Sequence, residues 1–316
     1  MKLSRAINNY SLATFAILAV NSLPQAIIAQ DFIAPNQPII IEREINGAKL
    51  RMVSEPNHAG AFTSMTYRGQ EYIDRADHGR LFQGAIAYNG RFECNNPTQA
   101  GASRDEENWG KRSTSKRLSA YIEEGNYFIV TQMAYWLRPN QECTIPGQGK
   151  SRVDNKKRLS TSLYMQTAEW NIAQYPNINS IKISYNTSLN IFAEGPRYDS
   201  AVVEALTIHT PPIFRQFDIL KPDNNFETIQ TPTTPDETAN PIILSTIDGS
   251  SAIGFYGHDE NYSYARWQFP FISKISLVYR MTDGFERGIY KAFWIIGTRE
   301  EVKKSMLYLR SLPIEY

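Results

Sequence analysis

IKISYNTSLNI, residues 181–191, alternates along its whole length. Ile181, Ile183, Tyr185, Thr187, Leu189 and Ile191 fall on one face. Lys182, Ser184, Asn186, Ser188 and Asn190 fall on the other. A period of two marks a strand with one apolar and one polar face. Residues 127–136, YFIVTQMAYW, are largely apolar on both faces. They predict one long central strand, covered on both sides. Residues 81–88, 201–208, 242–247, 252–256, 275–279 and 289–296 read as further strands. Asn46-Gly47, Asn89-Gly90, Gly125-Asn126, Asp248-Gly249 and Asp283-Gly284 supply hairpin turns between such runs. Many strands at short spacing predict an all-β chain, a large antiparallel β-sandwich, over βαβ repeats. One helix stands out at the C-terminus. Thr298 and Glu301 have capping-box spacing, and Val302, Met306 and Leu309 follow at helical intervals. Residues 139–157 and 221–241 are polar and read as loops.

Residues 1–29 read as a secretory signal peptide. Lys2 and Arg5 form its basic start, residues 11–20 its apolar stretch, and Ala26 and Ala29 precede a cut before Gln30. The apolar run is too short to span a bilayer of about 30 Å. No later stretch is long and apolar enough to cross, so no membrane span is expected after cleavage. Residues 30–316 are expected to form one β-domain, secreted or periplasmic. The chain carries 33 basic and 32 acidic residues. Losing Lys2 and Arg5 leaves a net charge near −1. That balance argues against nucleic acid as the main partner, which selects a basic face. Oligomeric state is not legible. Two cysteines remain, Cys94 and Cys143, and an oxidising compartment makes a disulfide the expected state. Closing a loop of about 50 residues would contribute roughly 4 kcal/mol through lost chain entropy. No CxxC or HxxxH spacing offers a metal site, and no cofactor is implied.

Residues 77–105, DHGRLFQGAIAYNGRFECNNPTQAGASRD, concentrate functional groups around one apolar strand. His78, beside Asp77 and Arg80, is a candidate for proton transfer; a turn histidine capped by Asp77 is the bland reading. Glu93 is a candidate general acid or base, or else a salt-bridge partner of Arg80 or Arg91. Asp105 could complete a carboxylate pair with Glu93, as glycosidases require. Asn95 and Asn96 suit sugar hydroxyls, which amides meet as both donors and acceptors. They also suit a plain turn before Pro97. Trp109 and Trp136 are candidate stacking platforms, with Tyr135 and Trp267 behind them. Arg138 could meet an acidic sugar. Tyr256, His258, Tyr262 and Tyr264 read as a Tyr/His-rich loop.

GAFTSMTYRGQEYIDRADHGRLFQGAI (60–86) resembles the opening of galactose-mutarotase-like proteins. DGSSAIGFYG (248–257) and GTREEV (297–302) fit the same layout. The resemblance implies a supersandwich of two large antiparallel sheets, with a carbohydrate-facing groove on the concave side. The chain is more similar to uncharacterised secreted members of that superfamily than to its epimerases. The Asn-His-x-Tyr-Phe-Asn type motif of aldose epimerases is missing, as is their late catalytic Glu. His209, in EALTIHTPP (204–212), stands nearest by position to their acid histidine, within a different local motif. No epimerase residue carries over, and His209 is kept as a candidate substrate contact.

The expected function is that of a secreted carbohydrate-active protein, a glycoside hydrolase or polysaccharide lyase. The alternative is a non-catalytic glycan-binding protein. A strand of about eight residues spans roughly 26 Å. That would leave Asp77–Arg80 and Glu93–Asp105 as two half-sites unless the chain folds back.

Overall fold

The computed structural model describes residues 31–45, 47–76, 78–88, 94, 96–101, 113–123, 125–145, 149–153, 165–174, 181–190, 200–229, 236–257, 262–282 and 287–312. Residues 88, 165–174, 181–190, 200–201, 281–282 and 287–291 are described by backbone alone. The signal segment, Asp77, Glu93, Asn95, Asp105, Trp109 and His258 lie outside the described residues.

Among the described residues the chain is almost wholly antiparallel β. Ten strands make one sheet, in the order Asp31–Phe32, Lys116–Glu123, Asn126–Gln132, Met165–Gln174, Ile181–Asn190, Arg287–Gly297, Ala252–Gly257, Ile242–Thr246, Phe214–Leu220 and Phe226–Ile229. Seven make a second, in the order Ala134–Tyr135, Pro97–Thr98, Gln83–Tyr88, Ser200–Thr210, Ser273–Thr282, Tyr262–Gln268 and Asp236–Thr238. A four-stranded sheet runs from Ile39–Ile45 to Gln70–Glu71. Ile181–Asn190 is a strand, as its alternation predicts, and it lies at the centre of the ten-stranded sheet.

One continuous core joins all three sheets. It takes Ile129, Phe217, Phe255 and Trp294 from the ten-stranded sheet, Ile86, Val203, Ile208 and Leu277 from the seven-stranded one, and Ile41, Met52 and Tyr67 from the smallest. A sandwich packs in this way because each sheet hides one face of its alternating strands against the other.

The helix Arg299–Ser311 is the one α-helix among the described residues. Its capping box is complete: the Glu301 amide donates to the Thr298 hydroxyl and the Thr298 amide donates to the Glu301 carboxylate, at 3.3 and 2.7 Å. Val302, Met306 and Leu309 are buried against Leu220, Ile243, Ala252 and Ile295 on the outer face of the ten-stranded sheet. Each such buried side chain contributes roughly 1.5–3 kcal/mol. Gly254 lies beneath them. A Cβ there would come within 2.4 Å of Met306 and 2.7 Å of Val302.

Four expectations are corrected. The apolar run 127–136 is two strands in different sheets, Asn126–Gln132 and Ala134–Tyr135, and it is not central. The ladder with Lys116 ends at Gln132, and the Ala134 amide turns to the Ser115 hydroxyl at 2.8 Å. Both faces look apolar because the chain changes sheets at Met133, whose side chain is fully buried. Residues 139–157 contain a hairpin, Glu142–Ile145 against Gly149–Arg152, and residues 221–241 contain the edge strands Phe226–Ile229 and Asp236–Thr238. Edge strands are wetted, so polar composition does not exclude them. Tyr262 and Tyr264 lie on a strand with their rings in the core, where the sequence suggested a loop. Finally, the chain does fold back beside the strand Gln83–Tyr88. Ala85 pairs with Thr98, the Gln99 amide donates to the Gly84 carbonyl, and Ala100 arrives beside His78.

Candidate functional site

Residues 78–88, 94 and 96–101 form a closed corner. His78 is fully buried, with its Nδ1 3.0 Å from the Ala100 carbonyl. Gln83 ties the same two segments together: its side-chain amide donates to the His78 carbonyl and accepts from the Ala100 amide, each at 2.8 Å. The His58 ring lies 4.8 Å from the His78 ring. Burial, and then the His78 ring, hold His58 down at about 4. His78 therefore stands behind the surface rather than on it. The disulfide Cys94–Cys143 packs with Leu137, Ile145 and Val153, and Trp136 leans on that cluster. It anchors the returning segment beside Trp136, as expected from the cysteine positions. Trp136 also covers Gly79; a Cβ at Gly79 would meet the indole at 2.0 Å. The Trp136 amide donates to the Asn96 carbonyl at 2.8 Å, and the Asn96 side-chain oxygen is buried without a hydrogen bond. Arg138 is exposed at the start of a turn closed by Gln141.

A second arrangement occupies the outward face of the seven-stranded sheet. The strand Ser200–Thr210 carries a bulge at Ala205, where its register to both neighbours shifts. The extra residue changes the parity of the strand. Glu204 and Thr207 thereby reach the same side, and the Thr207 hydroxyl donates to Glu204 at 2.7 Å. Thr207 also meets the Ser276 hydroxyl at 2.7 Å. Lys274 on the next strand reaches both Glu204 oxygens at 3.2 Å. Its ammonium lies 4.1 Å from the centre of the Trp267 ring, one strand further on. Lys274 is the register partner of both His209 and Trp267, so these three form a row across the sheet.

Arg80 closes the end of this row. Its guanidinium stands 3.8 Å from Asp74 and 4.8 Å from the centre of the Phe271 ring. The Asp74 amide donates to the His209 carbonyl at 2.8 Å, which fixes the Arg80 segment against His209. His209 is half-buried, and its Nδ1 is buried without a hydrogen bond. Burial chiefly, then the charges of Lys274 and Arg80, hold it well below its ordinary value. It is a neutral imidazole across the neutral range, and the same burial and charges oppose its protonation. Glu204 and Lys274 keep 23% and 15% of their side chains exposed. A ligand can reach them, yet water does not fully screen their charges.

Arg80 and His209, both singled out in the sequence, converge here. His78, Asn96, Trp136 and Arg138 gather in the neighbouring corner around residues 94–101. Glu204, Thr207 and Lys274 escaped sequence reasoning. The available signal was the spacing in EALTIHT: Thr207 and His209 alternate with Ile208, and Glu204 falls out of step by one residue. Among the described residues, no group of three His, Cys, Asp or Glu side chains is placed to hold a metal ion. No helix among them is long and apolar enough to cross a membrane.

The fold is thus an antiparallel β-sandwich with the row of Glu204, Lys274 and His209 on one sheet and a helix against the other. Solved structures similar to it include a galactose mutarotase-like protein from Lactobacillus casei, at 8% identity and a TM-score of 0.40, covering 82% of this chain and 100% of that one. They also include the alpha-galactosidase from Lactobacillus brevis, at 8% identity and 0.42, and the 4-alpha-glucanotransferase from Thermococcus litoralis, at 8% and 0.41. These cover 84% and 86% of this chain, which spans 40% of each of those two. No family model and no curated protein matches the sequence. The chemistry of the site rests on its own residues.

Proposed function

We propose that this protein is an exported, carbohydrate-active β-domain that binds a glycan on the outward face of its seven-stranded sheet and cleaves it as a lyase or hydrolase. The observation that carries the reading is the row His209, Lys274 and Trp267, with Glu204 and Arg80 at its sides. Trp267 and Lys274 offer an apolar ring face and a cation to a pyranose. The partly exposed Glu204 carboxylate can accept from a sugar hydroxyl, while the buried Thr207 and Ser276 hydroxyls behind it hold it in place. Burial, Lys274 and Arg80 oppose protonation of His209; an acidic sugar's carboxylate, by offsetting those two cations, would raise its proton affinity and let it act as base, with Lys274 and Arg80 placed to stabilise the negative charge left behind. This arrangement favours elimination from an acidic sugar over hydrolysis. Hydrolysis asks for a second carboxylate flanking the bond, a part Glu93, Asp105 or Asp74 would have to play. Export and a single domain are supported by the disulfide Cys94–Cys143 and by the shared core.

The test is a panel of acidic and neutral polysaccharides, read by reducing ends and by the ultraviolet absorbance of unsaturated products. His209→Ala is expected to abolish product formation and keep binding. Product formation undiminished in both His209→Ala and Glu204→Gln would sink the assignment of this face. Binding by the wild type with no product from any polysaccharide would leave the non-catalytic reading, which the tight engagement of Glu204 by Lys274 and Thr207 favours.

A further inference from the structure

The loop Phe269–Ile272 joins the Trp267 strand to the Lys274 strand. It is closed by the Phe269 amide donating to the Ile272 carbonyl at 2.8 Å. Its tip is apolar and open to water: Phe269 is 38% and Phe271 53% exposed. The two rings stack 6.4 Å apart at 22°. Exposed aromatic tips are ordinarily mobile, but this one is fastened from two sides. Arg215 donates to the Phe269 and Pro270 carbonyls, and through its Nε to the Pro212 carbonyl at 2.9 Å. Arg80 lies over the Phe271 ring. Holding two phenyl rings in water gives the isolated chain no hydrophobic gain.

The tip is continuous with the site above. Phe269 follows Trp267 by two residues, Phe271 precedes Lys274 by three, and the tip shares Arg80 with the surroundings of His209.

We infer that Phe269 and Phe271 form an outer subsite, which binds a sugar unit of the same glycan beyond the unit held at Glu204, Lys274 and His209. This rests on the carbohydrate reading and extends it: the preferred ligand is a chain of several units, and these two rings set the length preference. A rigid ring pair binds with little ordering cost, which is why a clamped loop suits this role. A second copy of the chain is a poor fit, since a stable dimer buries roughly 800 Å² on each partner, and two phenyl rings flanked by Arg80 and Arg215 fall well short of that.

The experiment is affinity electrophoresis of the full chain through gels holding polygalacturonate, alginate, galactan or xylan, followed by titration with the monomer and the hexasaccharide of whichever polymer retards it. The variants are the double change Phe269→Ser/Phe271→Ser and the single change Phe271→Tyr, which keeps a ring. The inference expects the double variant to lose about tenfold in hexasaccharide affinity with less than about a twofold change for the monomer, while Phe271→Tyr binds like the wild type. Equal affinity of wild type and double variant for the hexasaccharide overturns the outer subsite and leaves the inner site standing. A wild type retarded by none of the four polymers overturns the carbohydrate reading together with the subsite. A wild-type dimer in sedimentation that the double variant abolishes assigns the tip to a second copy, and the subsite falls.

Discussion

The two outward faces of this sandwich have opposite fates. On the ten-stranded sheet, Ile243, Ala252 and Ile295 point outward and are sealed by Val302, Met306 and Leu309 of the C-terminal helix. On the seven-stranded sheet, the outward positions hold Gln83, Glu204, Thr207, His209, Lys274, Ser276 and Trp267, and the described residues place no helix over them. Both faces belong to strands whose other side enters one core. Covering the first removes apolar area from water and stabilises the fold. Thr207 and Ser276 are already buried and paired with each other, but covering the second further would desolvate the Glu204–Lys274 ion pair at several kcal/mol without new partners. The molecule draws stability from one face and leaves a partly exposed ion pair on the other.

The sharpest way to break that contrast is to put a charge under the helix. Val302→Asp is expected to destabilise the protein by about 3–5 kcal/mol, as an unpaired buried carboxylate does. A urea midpoint close to the wild type would show that the helix does not seal that face. Next in size comes the disulfide. Cys94→Ser/Cys143→Ser should cost about 4 kcal/mol, since 49 residues separate the two sulfurs in sequence and the bridge restricts the unfolded chain. Urea unfolding with and without reductant measures it, and a negligible difference would mean that the clasp around Trp136 stands on packing alone.

Smaller again is the response to acid. His58 falls from an ordinary 6.5 to about 4 on folding, because burial and the His78 ring oppose its protonation. The folded state therefore binds fewer protons than the unfolded one in that interval. Its contribution to stability is complete above pH 6.5 and is lost as the pH falls from there to about 4; His209 acts in the same direction. Unfolding midpoints across this range should decline on acidification, and more gently in His58→Gln. Identical slopes would remove His58 from the account. The smallest effect on stability is expected at Lys274→Met. Breaking its mostly buried pair with Glu204 should shift stability by about 2 kcal/mol, yet remove glycan binding. A Lys274→Met protein that unfolds like Val302→Asp would show that the outward face of the seven-stranded sheet is structural after all.

Much of this plan is readable locally. The strand over residues 181–190, the Thr298–Glu301 box, the Cys94–Cys143 pairing and the turns at Gly47, Gly125 and Gly249 appear where their chemistry suggests; the expected turns at 89–90 and 283–284 lie outside the described residues. Gly47 and Gly249 adopt φ values of 68° and 71°, a region that a side chain at those positions would strain. What misleads is whatever depends on a partner strand. The run 127–136 has an unbroken apolar pattern, but Gln132 and Ala134 pair in different sheets. The segment 96–101 returns along Gln83–Tyr88, so two groups that strand length would hold apart meet at His78 and Ala100. Glu204 looked like one more polar residue in an apolar strand until the bulge at Ala205 turned it toward Thr207 and Lys274.

The sequence by itself determined an all-β sandwich, a capped and sealing C-terminal helix, a disulfide and a polar cluster near residue 90. Side-chain period, capping and turn chemistry are properties of a few neighbouring residues, and folding preserves them. The tertiary structure decided which face stays open and which side chains meet on it. Strand register, the parity change at one inserted residue and the burial that keeps His209 neutral arise between segments some seventy residues apart in the chain, and no local pattern encodes them.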